Sequence, residues 1–228
     1  MINVLIIEDE SSIRKFVKIN LERKNLKVFE AESAEIGLEI LNKEKIDIIL
    51  LDLMLPGIDG IEACKIIREK NKNVGIIMLT AKSQDEDKIS GLTSGADDYI
   101  TKPFNPTELI LRIEKLYSRI YKSEPEETII KEGVFTLNLK SREFFKSDKF
   151  IELTPTEFNI IEMFLKNKDK AFSRDEILNI IWGEKYLGDS KIVDVNIRRI
   201  RSKIEDNPAN PEYLLTVWGV GYKFRWIN

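Results

Sequence analysis

The chain has 228 residues, 43% hydrophobic and 33% charged, a globular balance with length enough for two compact domains. Its net charge of −3 lies wholly in residues 1–125, because basic and acidic residues cancel over 126–228, so only a local basic stripe can mark a nucleic-acid binder. The absence of histidine excludes Ser-His and Cys-His catalysis and the common His-based zinc sites, and a single cysteine, Cys64, excludes an internal disulfide and points to the cytoplasm. Cys64 lies in a helical pattern without a basic activator and reads as filler at a helix surface or core edge. No apolar run approaches the ~20 residues of a membrane span, so no membrane partner is expected. The N-terminal Ile2–Ile7 stretch has no basic lead-in and reads as a first strand rather than a signal peptide.

Five short aliphatic runs follow in chain order: Val4–Ile7, Val28-Phe29, Ile46–Leu51, Ile76–Leu79 and Tyr99–Thr101. Most are rich in Ile, Leu and Val, as buried parallel strands are. Helical patterns separate them. Ile13, Phe16, Val17, Asn20 and Leu21 share one face behind a Ser11 or Ser12 cap, and Ser33 caps a helix carrying Leu38 and Leu41. Ile61, Cys64 and Ile67 follow Gly60, Ile89 and Leu92 form a further helix, and Asn105-Pro106 opens one bearing Leu109, Ile113 and Leu116. The alternation predicts an α/β fold over 1–120, a doubly wound five-stranded parallel sheet of the flavodoxin-like kind.

Residues 121–128 are polar, contain proline and lack periodicity, and read as a linker to a second domain, 129–228. There Val134–Leu139, Glu143–Lys146 and Phe150–Leu153 read as short antiparallel strands. Two capping boxes, Thr154-Pro-Thr-Glu157 and Ser173-Arg-Asp-Glu176, open two helices, and a third runs from about Ser190 to Glu205. Tyr213–Trp218 and Tyr222–Trp226 flank a Gly-Val-Gly turn and predict a terminal β-hairpin.

Chemically loaded residues follow the aliphatic runs: Glu8 and Asp9 after the first, Asp52 after the third, Thr80 after the fourth, Lys102 after the fifth. Open α/β sheets bind ligands outside the carboxyl ends of their strands. Carboxylates gathered there suit a hard divalent cation, and magnesium prefers one or two carboxylates plus phosphate oxygens. Asp52, on the buried third strand, is the candidate nucleophile toward a phosphoryl group, Lys102 the ammonium that neutralises it, and Thr80 a hydroxyl donor to it.

These segments resemble the receiver domain of bacterial two-component response regulators: Ile7-Glu-Asp-Glu10, Leu51-Asp-Leu-Met-Leu-Pro-Gly-Ile-Asp-Gly60, Leu79-Thr-Ala81 and Gly95-Ala-Asp-Asp-Tyr-Ile-Thr-Lys-Pro-Phe104. The resemblance implies phosphorylation of Asp52 by a sensor histidine kinase. It implies Mg2+ held by Asp9, Asp52 and the Met54 backbone carbonyl, with Glu8 acting through water. It also implies a cis Lys102-Pro103 peptide, and a switch in which the Thr80 hydroxyl moves to the phosphoryl group while the Tyr99 ring turns inward.

The third helix of the second half places Val193, Ile197, Ile200 and Ile204 on a core stripe and leaves Asn196, Arg198, Arg199, Arg201 and Lys203 for the other faces. No acid lies between Asp194 and Glu205, and Arg and Asn are the side chains that read base edges and grip phosphates. A short helix, this helix and a hairpin together make a winged helix-turn-helix. Leu153-Thr-Pro-Thr-Glu-Phe158, Ser173-Arg-Asp-Glu-Ile-Leu178, Val193-Asp-Val-Asn-Ile-Arg-Arg-Ile-Arg201 and Thr216-Val-Trp-Gly-Val-Gly-Tyr222 resemble the effector domain of the OmpR/PhoB winged-helix subfamily. That resemblance places Lys191, Val195, Asn196, Arg198, Arg199 and Arg201 against duplex promoter DNA. It sets Thr216 on a phosphate and Gly183–Asp189 against RNA polymerase. The chain departs from it at Trp218, where many relatives carry a wing arginine.

The same resemblance places a phosphorylation-dependent homodimer on the segment with Ile89 and Leu92, the fifth strand and the helix after Pro106. Expected pairs across it are Lys88–Glu108, Asp98–Arg112 and Asp97–Arg119, around an apolar patch of Ile89, Leu92 and Leu111. Among other readings, a haloacid-type phosphotransferase expects an acid at position 54, which is Met, and a nucleotide-binding reading expects a Gly-rich phosphate loop that the chain lacks. On this reading the protein is no enzyme beyond self-phosphorylation and self-dephosphorylation.

Overall fold

The aliphatic runs of the N-terminal half become five parallel strands in the computed structural model, which describes residues 1–71, 73–81, 94–121, 129–184, 186 and 188–225. The chain divides into two compact units, Met1–Ile120 and Tyr121–Asn228. In the first, β1 (Asn3–Ile7), β2 (Lys27–Ala31), β3 (Ile48–Asp52), β4 (Gly75–Ala81) and β5 (Asp98–Lys102) lie in the order β2-β1-β3-β4-β5. Val4–Ile7 and Ile48–Leu51 are fully buried, which explains why both central strands are continuous apolar runs rather than alternating ones. The order reverses between β1 and β3, so the crevice of the sheet opens at their carboxyl ends.

Four described helices cover this sheet: α1 (Ser11–Glu22), α2 (Ala34–Lys43), α3 (Gly60–Lys70) and α4 (Pro106–Ile120). Val17 and Leu21 of α1 and Leu109, Ile113 and Leu116 of α4 pack with Val4, Ile6, Ile48, Leu50, Ile77 and Leu79 on one face. On the opposite face α2 lies so close that a Cβ at Gly37 would stand 2.4 Å from Ile7 Cδ1. Ser33 caps α2 as expected, whereas α1 is not capped by a serine. Ser11 is its first residue, Glu10 is its N-cap without a side-chain bond, and Ser12 Oγ donates to Glu10 Oε1 at 2.5 Å. Phe16, read as sharing one face of α1 with Ile13, Val17 and Leu21, is half exposed, while Val17 and Leu21 are buried and Ile13 packs against the core. Cys64 is buried inside rather than at a helix surface. The helix expected around Ile89 and Leu92 and most of the 121–128 linker lie outside the described residues.

The second unit opens with an antiparallel meander of β6 (Ile129–Glu132), β7 (Phe135–Asn138), β8 (Glu143–Lys146) and β9 (Lys149–Ile151). Helices α5 (Pro155–Lys166), α6 (Arg174–Ile181) and α7 (Lys191–Ile204) follow. A three-stranded sheet of β10 (Ala171–Ser173), β12 (Gly221–Phe224) and β11 (Leu214–Val217) completes it. Both capping boxes form. The core is aromatic: Phe135 stacks on Phe144 with centroids 5.5 Å apart and meets Phe224 edge-on at 5.4 Å.

Glu157 of the first capping box has a second role. It is fully buried beneath α7, where Arg199 Nε reaches its Oε1 at 2.8 Å and Lys203 Nζ its Oε2 at 2.7 Å. Burial alone would raise its pKa, but Arg199 and Lys203 outweigh that and hold it below the ordinary value of 4.5. A carboxylate with a depressed folded pKa contributes stability above 4.5 that is lost as pH falls through the lower folded value. Glu157→Gln leaves the Arg199 guanidinium without its counter-charge and is expected to cost about 3–5 kcal/mol at pH 7. In calorimetric melts, the gap between wild type and variant should shrink below pH 4.5, and a gap that stays constant into acid would contradict this assignment.

Candidate functional site

At the carboxyl ends of β1 and β3 the acids converge. Ligand oxygens of Glu8, Asp9 and Asp52 all lie within 4.8 Å of one another, with Glu8 and Asp52 buried and Asp9 exposed. Lys102, at the end of β5, reaches across to both buried acids: its Nζ stands 2.6 Å from Glu8 Oε2 and 2.8 Å from Asp52 Oδ2. Burial and the nearby Asp52 raise the Glu8 pKa against the pull of Lys102. Burial works against the Lys102 ammonium, yet its bonds to Asp52 and Glu8 prevail and push its pKa up. Three carboxylates facing one ammonium leave negative charge in excess, and the donors are all hard oxygens, a set that fits a divalent cation.

The surrounding loops are fixed from the backbone. Arg14 Nη1 donates to the carbonyls of Glu8 at 2.6 Å and Asp9 at 2.9 Å, which ties the acidic turn to α1. Asp52 Oδ1 accepts from Met54 N at 3.3 Å, and the Met54 side chain is exposed. Gly60 N donates to Leu53 O at 3.1 Å, and a Cβ at Gly60 would stand 2.1 Å from Asp52 O, so only glycine lets α3 start against the end of β3. Thr80 is buried one residue beyond Leu79, the β4 partner of Asp52, and Tyr99 is buried on β5 opposite Met78. The Lys102-Pro103 peptide is cis.

In the second unit, α7 is packed on two sides, so its outward surface is a narrow strip. Lys191 and Arg198 are exposed on it, and Asp194 lies between them. Arg201 Nε donates to Leu214 O at 2.8 Å and its Nη2 to Thr216 Oγ1 at 2.9 Å, which joins the strip to β11. Three expected DNA-facing residues lie elsewhere. Val195 and Asn196 are buried, the Asn196 amide donating to Ile192 O at 2.8 Å within the helix, and Arg199 turns inward to Glu157. The basic run thus serves two faces, and only one of them is open. At the wing, Trp218 is 91% exposed between β11 and β12.

Several residues expected in the dimer pairs have partners within the chain. Arg112 Nη1 meets Asp98 Oδ1 at 3.0 Å and Arg112 Nη2 meets Glu108 Oε1 at 2.6 Å within one chain. Asp97 is fully buried and accepts from Arg68 Nη2 at 2.6 Å and from Ile76 N at 3.0 Å. Arg119 is largely buried, and Leu111 is half exposed. Lys88, Ile89 and Leu92 lie outside the described residues, as do two positions of the 183–189 loop.

Family comparison agrees with both halves. Residues 4–114 match the response regulator receiver domain, and residues 148–224 match the C-terminal domain of transcriptional regulatory proteins. The regulatory protein VanR of Enterococcus faecium is 42% identical over 96% of this chain and 97% of its own length. The alkaline phosphatase synthesis transcriptional regulatory protein SphR of Synechococcus elongatus is 38% identical over 96% of this chain and 90% of its own. Among solved structures, the response regulator DrrB, an OmpR/PhoB homologue of Thermotoga maritima, superposes with a TM-score of 0.52 at 33% identity over 98% of this chain and 99% of its own. The chain belongs to the response-regulator family. Within it, the chain is of the OmpR/PhoB type: a receiver joined to a winged-helix domain of transcriptional regulators.

Because backbone rather than a flexible side chain blocks a Cβ at Gly60, Gly60→Ala is expected to lower the melting transition of the N-terminal unit by about 1–3 kcal/mol equivalent, the usual cost of overpacking. A transition equal to wild type would show that α3 is free to shift.

Proposed function

We propose that Asp52 accepts a phosphoryl group from a phosphohistidine of a sensor histidine kinase, and that this controls binding of the C-terminal domain to duplex promoter DNA. The observation that carries the reading is the Lys102 ammonium placed between Glu8 and Asp52 at the switch point of the sheet. Magnesium, held by Asp9, Asp52 and the Met54 carbonyl with Glu8 through water, would neutralise phosphoryl oxygens during transfer. A carboxylate oxygen of Asp52 attacks phosphorus as the bond to the imidazole nitrogen of the donor breaks. Lys102 then exchanges its bond to Asp52 for one to the new phosphoryl oxygens. Thr80 donates its hydroxyl to the same group, and Tyr99 packs behind it as the switch residue. The protein adds to this chemistry only its own phosphorylation and dephosphorylation.

Phosphorylation shifts the population toward a homodimer on the surface of β5 and α4, joined by the segment that carries Lys88, Ile89 and Leu92. Lys191, Arg198, Arg201 and Thr216 meet DNA, with α7 in the major groove. The 183–189 loop meets RNA polymerase. The protein works in the cytoplasm, and no described helix is long and apolar enough to cross a membrane.

With a small-molecule phosphodonor and Mg2+, wild type should gain one phosphoryl group by intact-mass measurement and bind promoter DNA more tightly. Asp52→Asn should do neither, and a variant that gains both would refute the assignment. Chelating the metal should abolish transfer to wild type.

A further inference from the structure

Helix α1 starts without the side-chain cap that Ser33 gives α2: its N-cap is Glu10, whose side chain makes no capping bond. The turn that delivers Glu8 and Asp9 is held instead by Arg14, from the first turn of the same helix. The Arg14 side chain is 14% exposed and folds back over the turn. One nitrogen, Nη1, donates to both Glu8 O and Asp9 O, at 2.6 and 2.9 Å. The other, Nη2, lies 3.8 Å from the exposed Glu32 carboxylate, a long and solvated pair that holds little. The firm bonds of Arg14 are thus the two to the acidic turn.

The Asp9 carbonyl and the Glu10 N–H belong to one planar peptide. That peptide is trans, since Lys102-Pro103 is the only cis bond among the described residues, so the two groups point in opposite directions. On one side Arg14 takes the carbonyl, and on the other the N–H donates to Glu8 Oε1 at 3.4 Å. At that length the N–H bond is too weak to fix the plane, and the short carbonyl bond to Arg14 does so. The other oxygen of the same carboxylate, Glu8 Oε2, stands 2.6 Å from Lys102 Nζ, which stands 2.8 Å from Asp52 Oδ2. A continuous path therefore leads from Arg14 through one peptide plane and one buried carboxylate to the ammonium beside Asp52. Turning the plane would take the N–H away from Glu8 and leave its carboxylate free to rotate about Lys102.

We propose that Arg14 is a positioning residue for phosphoryl transfer to Asp52, acting through the Asp9–Glu10 peptide and Glu8 on Lys102. It touches neither Asp52 nor the incoming group. By pinning the turn it also sets the backbone that carries Asp9, the exposed acid of the candidate cation site. The role rests on the reading that Asp52 accepts a phosphoryl group, and it names the residue that keeps the buried ion pair aligned before that group arrives. Groups that orient the carboxylates around a metal site typically govern affinity or rate by about 10–100-fold.

The test uses the full chain. Mg2+ affinity of the unphosphorylated protein is measured by isothermal titration calorimetry, and phosphorylation from a small-molecule phosphodonor is followed by intact mass at saturating Mg2+. Arg14→Met is expected to weaken Mg2+ binding and to slow phosphorylation, each by about 10-fold. Lys15→Met, which removes one exposed charge from the same helix, should stay near wild type in both and so controls for net charge. Arg14→Lys should recover part of the loss, because one nitrogen serves both carbonyls. The route through Glu8 is read from a double-mutant cycle on the phosphorylation rate. In a Glu8→Ala background Arg14→Met should slow the reaction little further, whereas a general loosening of the domain would add its full cost. Wild-type affinity and rate in Arg14→Met overturn the proposal, and additive losses in the cycle overturn the route through Glu8. Failure of wild type to gain a phosphoryl group would instead sink the reading of Asp52 on which the role rests. Should circular dichroism show Arg14→Met unfolded at the assay temperature, Arg14→Lys takes its place in the cycle and the same outcomes decide.

Discussion

Two buried carboxylates at one sheet edge repel each other and lose hydration, and Lys102 stands between them as their shared counter-charge. The ammonium lies within ion-pair distance of both Glu8 and Asp52. That arrangement requires three strands to end at one level: β1 delivering Glu8, β3 delivering Asp52 and β5 delivering Lys102. The parallel register provides it, pairing Ile7 with Leu51 across β1 and β3 and Ala81 with Lys102 across β4 and β5. The turn after β1 is then held by Arg14, and the turn after β3 by Gly60. A site built this way is poised rather than satisfied. On the proposed function, a phosphoryl group on Asp52 would compete for the same ammonium.

The C-terminal unit meets the opposite demand, since it must hold cations in a compact domain and still show some of them to a polyanion. It divides them. Glu157 draws Arg199 inward and also takes the ammonium of Lys203, which stays at the surface, and the two tie α7 to α5. Lys191, Arg198 and Arg201 stay with the open strip, and Arg174 joins them from α6.

The parallel sheet and its acidic edge were legible in the sequence because β1 and β3 are buried along their length and the charged residues come at the ends of apolar runs. β6 and β10 were not, being four and three residues long without a clear alternation. The aliphatic stripe of α7 was readable from its spacing, but the rotation of the polar residues about it was not. Asn196 looks like a base-reading amide in sequence, yet it satisfies itself on Ile192 O and is buried. Asp97 and Asp98 are adjacent and chemically identical, and only the tertiary fold sends one to Arg68 and the other to Arg112. Arg174 lay hidden inside a capping box, where its local role at a helix start masked its reach to Asp194 and Tyr222.

The most direct test of the central claim is chemical. Borohydride reduces an acyl phosphate on aspartate to homoserine, so the phosphorylated protein can be reduced, digested and sequenced by mass spectrometry. Homoserine at position 52 and nowhere else is the predicted result. Homoserine at Asp9, or a phosphoryl group that survives reduction on a hydroxyl side chain, would contradict it.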